Sequence, residues 1–151
     1  MSKRLVVSSL AGIGAVAAGT ITFAASADAA APARPTISKA VARYATSSAG
    51  GGASLTFTAT VADNSGVKSL KVLAWPTSSG LAPTADEMKA VESARCKAAS
   101  ATASVCTYTV KSSAGESAAL PEGTWYVSAL ATAKDHDTAF APKAATFALK
   151  H

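Results

Sequence analysis

Between residues 54 and 62 the chain reads Ser-Leu-Thr-Phe-Thr-Ala-Thr-Val-Ala. Leu55, Phe57, Ala59 and Val61 alternate with Thr56, Thr58 and Thr60, so an extended segment here has one apolar side and one β-branched polar side. A helix repeats its faces every 3.6 residues and would scatter this set around its surface. A strand repeats every two, and the stretch therefore predicts a half-buried β-strand. It runs into Asp63-Asn64-Ser65-Gly66, where Asp and Asn can bond their own backbone and Gly admits positive φ, which predicts a tight turn. Leu70, Val72 and Ala74 resume the alternation up to Trp75, and Pro76 closes the second strand. Strand, turn, strand is the organising unit.

The same alternation recurs. An earlier strand is expected from Ile37 to about Ala45, followed by a loop at 46–52, whose three consecutive glycines cost too much entropy inside a regular element. Val105 to Val110 places Cys106, Tyr108 and Val110 on one face. After the turn Leu120-Pro121-Glu122-Gly123, the stretch Thr124–Ala133 puts Trp125, Val127, Ala129 and Ala131 on one side, with Tyr126, Ser128 and Leu130 on the other. A last strand carries Ala145, Phe147 and Leu149. The expected core is Phe57, Val61, Leu70, Val72, Trp125, Val127 and Phe147. One segment breaks the period of two: Thr84, with Glu87 three residues on and Met88 and Val91 behind it, is a capping box that predicts a short helix over 84–94 leading to Cys96.

The N-terminus has a different character. Lys3 and Arg4 precede an uncharged, mostly apolar run from Leu5 to Ala27, and small residues from Ala25 to Ala30 offer Ala-x-Ala cleavage sites. This order is that of a secretory signal peptide. A retained anchor is the rival, because the run approaches the roughly 20 residues that span a bilayer. Its second half is Ala, Gly, Thr and Ser, however, and no charged stop follows. The expectation is residues 1–29 as a cleaved signal, 30–36 as a flexible Pro/Ala leader and 37–151 as one domain, on a secreted, extracellular protein with no stable membrane span after cleavage. Export gives the only two cysteines, Cys96 and Cys106, their reading as a disulfide.

Six or seven short strands separated by turns argue for an all-β, antiparallel immunoglobulin-like β-sandwich with one short helix inserted mid-domain. Asp63-Asn64-Ser65-Gly66-Val67, and Gly123-Thr124-Trp125-Tyr126-Val127 running to Ala131-Thr132-Ala133-Lys134-Asp135, resemble the B–C and F–G segments of bacterial immunoglobulin-like domains. The whole chain is similar to the small secreted actinobacterial proteins grouped as the DUF5707 family of unknown function. That resemblance implies an exported β-sandwich and transfers no catalytic residue.

Chemistry is sparse. Of the two histidines, His151 ends the chain and His136 lies in a polar turn between Asp135 and Asp137. Neighbours in one turn cannot present an oriented base and acid to a serine, and no Gly-x-Ser-x-Gly elbow is present. Asp86, Glu87 and Glu92 read as a first-turn dipole match and a solvated face rather than a glycosidase pair. The net charge of +5 falls to +4 when Lys3, Arg4 and Asp28 leave with the signal. The remaining basic residues are scattered, which argues against nucleic acid and leaves anionic cell-wall polymers as a possible partner. Two site readings stand. If the B–C and F–G loops share a pole, Asp63, Asp135 and Asp137 would supply hard oxygen ligands to Ca²⁺, against the plainer reading as turn formers; no other cofactor is implied. Trp75, at a strand end, is the candidate for an exposed contact. The function expected is a secreted non-enzymatic binding or structural module, not an enzyme. The alternative is an inhibitor or effector that contacts another extracellular protein through the Cys96–Cys106 loop.

Overall fold

A computed structural model describes residues 33–151, so the expected signal peptide and the first three residues of the leader lie outside the described residues. Seven strands form: β1 Thr36–Thr46, β2 Ala53–Ala62, β3 Val67–Pro76, β4 Arg95–Ala98, β5 Ala103–Ser112, β6 Gly123–Ala133 and β7 Thr138–Leu149. They make two antiparallel sheets, a four-stranded one in the order β1-β2-β5-β4 and a three-stranded one in the order β3-β6-β7. Lettered A to G, these are the A-B-E-D and C-F-G sheets of the constant-type immunoglobulin sandwich.

The alternation read from sequence sets the register. Strand β2 buries every second residue, and Phe57, Ala59 and Val61 meet Leu70, Val72, Val127, Ala129 and Ala131 of the other sheet in one core with Cys106. Phe57, Val61, Leu70 and Val127 have no exposed surface. Phe147 is only partly buried, stacked between Tyr44 at 5.9 Å and Trp125 at 5.8 Å. Glycine is required at position 52, where φ is +91° and a Cβ would collide with the Ser112 carbonyl. That close approach pins the β1–β2 loop to the end of β5.

The chain between β3 and β4 departs from expectation. Two 3-10 turns form there, at Thr77–Ser79 and Glu87–Ala90, and the second stands in place of the helix over 84–94. Its capping box is present: Glu87 Oε2 accepts from the Thr84 N–H at 2.8 Å and hydroxyl at 3.0 Å. Extension stops because residues 92–94 pair instead with the free edge of β3, through Val72 N–H to Glu92 O and Ala94 N–H to Leu70 O. Among the described residues the single α-helix, α1, spans Ala114–Ala118 and is started by a second capping box, Ser113 with Glu116. Arg95–Ala98, expected as the outflow of a helix, is an edge strand paired with β5.

Candidate functional site

The B–C and F–G loops do share a pole, and their polar side chains are spent on holding it together. Asp63 Oδ1 accepts from the Ser65 N–H at 2.8 Å and from the Ser65 hydroxyl at 2.6 Å. The same hydroxyl oxygen accepts from the Asp135 N–H at 3.2 Å, while the Lys134 N–H reaches Gly66 O at 2.9 Å. Asp135 turns its own Oδ1 onto the Asp137 N–H at 3.1 Å. Asp63 is buried and Asp135 exposed. Among the described residues no three acidic, His or Cys side chains gather as a cation would need. Asp63, Asp135 and Asp137 are therefore turn formers here, and the Ca²⁺ reading is replaced by a hydroxyl-bridged clasp between two loops.

Trp75 is likewise corrected. It is 6% exposed, its Nε1 donates to Ser128 Oγ at 2.9 Å, and its ring packs on Tyr126 at 5.0 Å. The Ser128 hydroxyl in turn donates to Pro142 O at 2.7 Å. Both Trp75 and Ser128 point away from the inter-sheet core, and they are buried because residues 76–94 fold across the outer face of β3 and β6. Met88, from the 3-10 turn that packs on β3 and β6, is fully buried, and Leu130 on the same outer face of β6 is 2% exposed. The three-stranded sheet thus has cores on both sides.

Cys96 and Cys106 are bonded and sit directly opposite each other on β4 and β5, with Cα atoms 3.9 Å apart. The staple lies within one sheet, where the antibody pattern links the two sheets. It fixes β4, only four residues long, onto the edge of β5. At the hairpin tip the Ser100 hydroxyl accepts from the Thr102 and Ala103 N–H groups.

That leaves the outer face of the four-stranded sheet, which nothing in the described chain covers. Directly opposed residues of paired strands project on the same side, so the register defines the face. One row across it is Arg43, Thr56 and Thr109, the next is Val41, Thr58, Thr107 and Arg95, and the third is Ser38, Thr60, Val105 and Lys97. Lys111, opposite Ser54, adds a cation beyond the first row. Arg43, Arg95, Lys97, Lys111, Thr107 and Thr109 are exposed, as are Val41 and Val105. None of the strands β1, β2, β4 and β5 contains an Asp or Glu. Among the described residues the sole ion pair, Lys89–Asp86, lies elsewhere. Glu92 stands at the β4-side rim beside Arg95, and its carboxylate accepts the Tyr108 hydroxyl proton at 2.7 Å. Burial first, then Glu92, pushes the Tyr108 phenol up to about 12.

Sequence reasoning missed this face. Its cations come from positions 43, 95, 97 and 111, far apart in the chain, and only the A-B-E-D strand order assembles them. The parity of Thr56, Thr58 and Thr60 was the one visible signal.

Fold, register and the clasped pole define the chain as an immunoglobulin-type β-sandwich with an intra-sheet disulfide. It belongs to the family of unknown function DUF5707, whose sequence model matches residues 37–131. No curated protein and no solved structure matches the chain significantly.

Proposed function

We propose that this protein is an exported, non-enzymatic binding module of the bacterial cell exterior, and that the outer face of the β1-β2-β5-β4 sheet is its working surface. One observation carries the reading. The chain invests residues 76–94 in covering one outer sheet face, while the other displays an ordered field of threonines ringed by unpaired cations. A bare sheet face built from hydroxyls and positive charge offers adhesion over an extended area. The signal-like N-terminus and the disulfide support an extracellular setting. The alternative of a protein inhibitor draws on the exposed β4–β5 hairpin, which carries Arg95 and Lys97 at the margin of the same face.

Incubation of the purified protein with washed bacterial cell walls tests the reading. Retention on the walls, with the protein released intact, is the expected result. A protein that stays wholly in the supernatant, and instead forms a stoichiometric complex with an extracellular enzyme, would replace the module by the inhibitor.

A further inference from the structure

Resting on that reading, we infer that the ligand of the threonine face is a linear phosphodiester polymer with hydroxylated spacers, of the polyol-phosphate kind found in bacterial walls. Three features of the face select this chemistry. The first is the spread of its cations. Arg43 on β1 and Lys97 on β4 stand three strand spacings and about four residues apart, roughly 20 Å by ladder geometry. Lys111 and Arg95 occupy the margins between them. Cations that surround a field suit a chain of anions crossing it, since a single small anion would need them to converge.

The second feature is what lies between the charges. Thr56, Thr58, Thr60, Thr107 and Thr109 stand at strand and pleat spacings, about 4.8 Å across and 6.7 Å along. Each hydroxyl is both donor and acceptor, so it can give a proton to a phosphate oxygen or exchange bonds with a polyol hydroxyl. Arg43 and Arg95 add planar forks that match phosphate geometry. The third feature is composition: the side chains named in the three rows are Thr, Ser, Val, Arg and Lys, and no aromatic ring stands among them. Single-stranded nucleic acid, the other common linear phosphodiester, is held by stacking its bases on such rings. A polyol phosphate has no base to stack and loses nothing here.

Two cations of the opposite sheet are, by contrast, engaged within the molecule. Lys71 Nζ donates to Val91 O at 2.9 Å, and Lys143 Nζ lies 4.5 Å over the Tyr126 ring. Lys68 on β3 is exposed and forms part of the off-face control below.

The test is equilibrium binding of the purified protein to polyglycerol phosphate, with single-stranded poly(dT) and a neutral glucan as comparison polymers. Variants are Arg95→Ala/Lys97→Ala, Arg43→Ala/Lys111→Ala and the off-face control Lys68→Ala/Lys150→Ala, each checked for an unchanged melt. Polyglycerol phosphate is expected to bind, each on-face pair to weaken it at least tenfold, and the control to change it less than twofold. Four phosphate contacts, counted at roughly 0.7 counterions each as for a single-stranded polyanion, give a salt slope near 3 in log Kd against log salt. Binding that survives both on-face variants overturns the assignment, as does tighter binding to poly(dT). If walls stripped of phosphate polymer retain the protein as well as untreated walls do, the inference falls while the wall-binding reading stands. If neither wall retains it, both fall.

Discussion

The outer face of the three-stranded sheet lies under the chain's own crossover, whereas the outer face of the four-stranded sheet stands open. The covered face is built from Trp75, Tyr126, Ser128 and Leu130, with Met88 pressed onto it; the open one from threonines and four cations. Polar groups under the cover are paired, Trp75 Nε1 to Ser128 and Ser128 to Pro142, as burial away from water requires. Hydroxyls on the open face need no such partners. The cover also protects an edge. Residues 92–94 hydrogen-bond to β3, which would otherwise present unpaired backbone to another chain. The four-stranded sheet ends instead in β4, a short edge strand carrying Arg95 and Lys97 and held by the disulfide. Two sheets of one sandwich have met the same exposure problem by different means, and the difference separates structure-bearing surface from surface left free.

Both sheets share the inner core, so its loss sets the upper end of the scale. Phe57→Ala removes a fully buried ring from the centre of the sandwich and should cost about 3–5 kcal/mol. Chemical denaturation reads this directly, and an unchanged midpoint would mean that the core lies elsewhere. Next comes the comparison itself. Met88→Ala on the covered face should cost about 2–5 kcal/mol through a cavity under the crossover. Thr58→Ala on the open face should stay within about 0.5 kcal/mol. Equal losses at the two positions would erase the distinction between the faces.

The disulfide is the device on which the open sheet depends for its edge. Replacing Cys96 and Cys106 together with Ser should lower stability by about 2–4 kcal/mol, because the closed loop no longer limits the unfolded chain. Amide exchange should then rise first in β4 and β5. Should β2 and β6 open equally early, the staple would be acting on the whole sandwich and not on one edge.

Strand positions were legible in the sequence because each half-buried strand writes its own period of two, clearest at 54–62. The sandwich class followed from those strands and the turns between them, and the family from a resemblance of the whole chain. What the sequence concealed was the second layer. Trp75 shares its parity with Lys71 and Leu73, the side expected to face water, and the crossover of residues 76–94 over that side reverses the expectation. The unbroken small and apolar run Val127–Ala131 was a sign that β6 is buried on both faces. Ser113 and Glu116 spell the same capping box as Thr84 and Glu87, and only the first pair opens an α-helix. A capping box fixes where a helical turn begins; neighbouring strand edges decide how long it lasts. The loops carrying Asp63, Asp135 and Asp137 do meet, but carboxylate direction is a tertiary property, and one oxygen each of Asp63 and Asp135 is turned onto a backbone N–H.

The smallest effect expected lies where the covering segment touches the open sheet. Tyr108 belongs to β5, and its hydroxyl donates to Glu92 in the crossover at 2.7 Å. Burial is the main reason its phenol is pushed up to about 12 from 10.0; the Glu92 hydrogen bond and negative charge act in the same direction. Between about pH 10 and 12 the unfolded chain gives up this proton while the folded chain keeps it. The unfolded state then binds fewer protons, and stability falls as pH rises through that window. Below pH 10 both states are protonated and the contribution is complete. The difference spectrum between the native protein and Tyr108→Phe isolates this tyrosinate among the chain's three tyrosines. It should appear near pH 12 and move down in Glu92→Gln, with the melt at neutral pH nearly unchanged. An ordinary phenol titration for Tyr108 in the folded protein would show that Glu92 does not hold it, and that the crossover is tied to the open sheet by the disulfide hairpin alone.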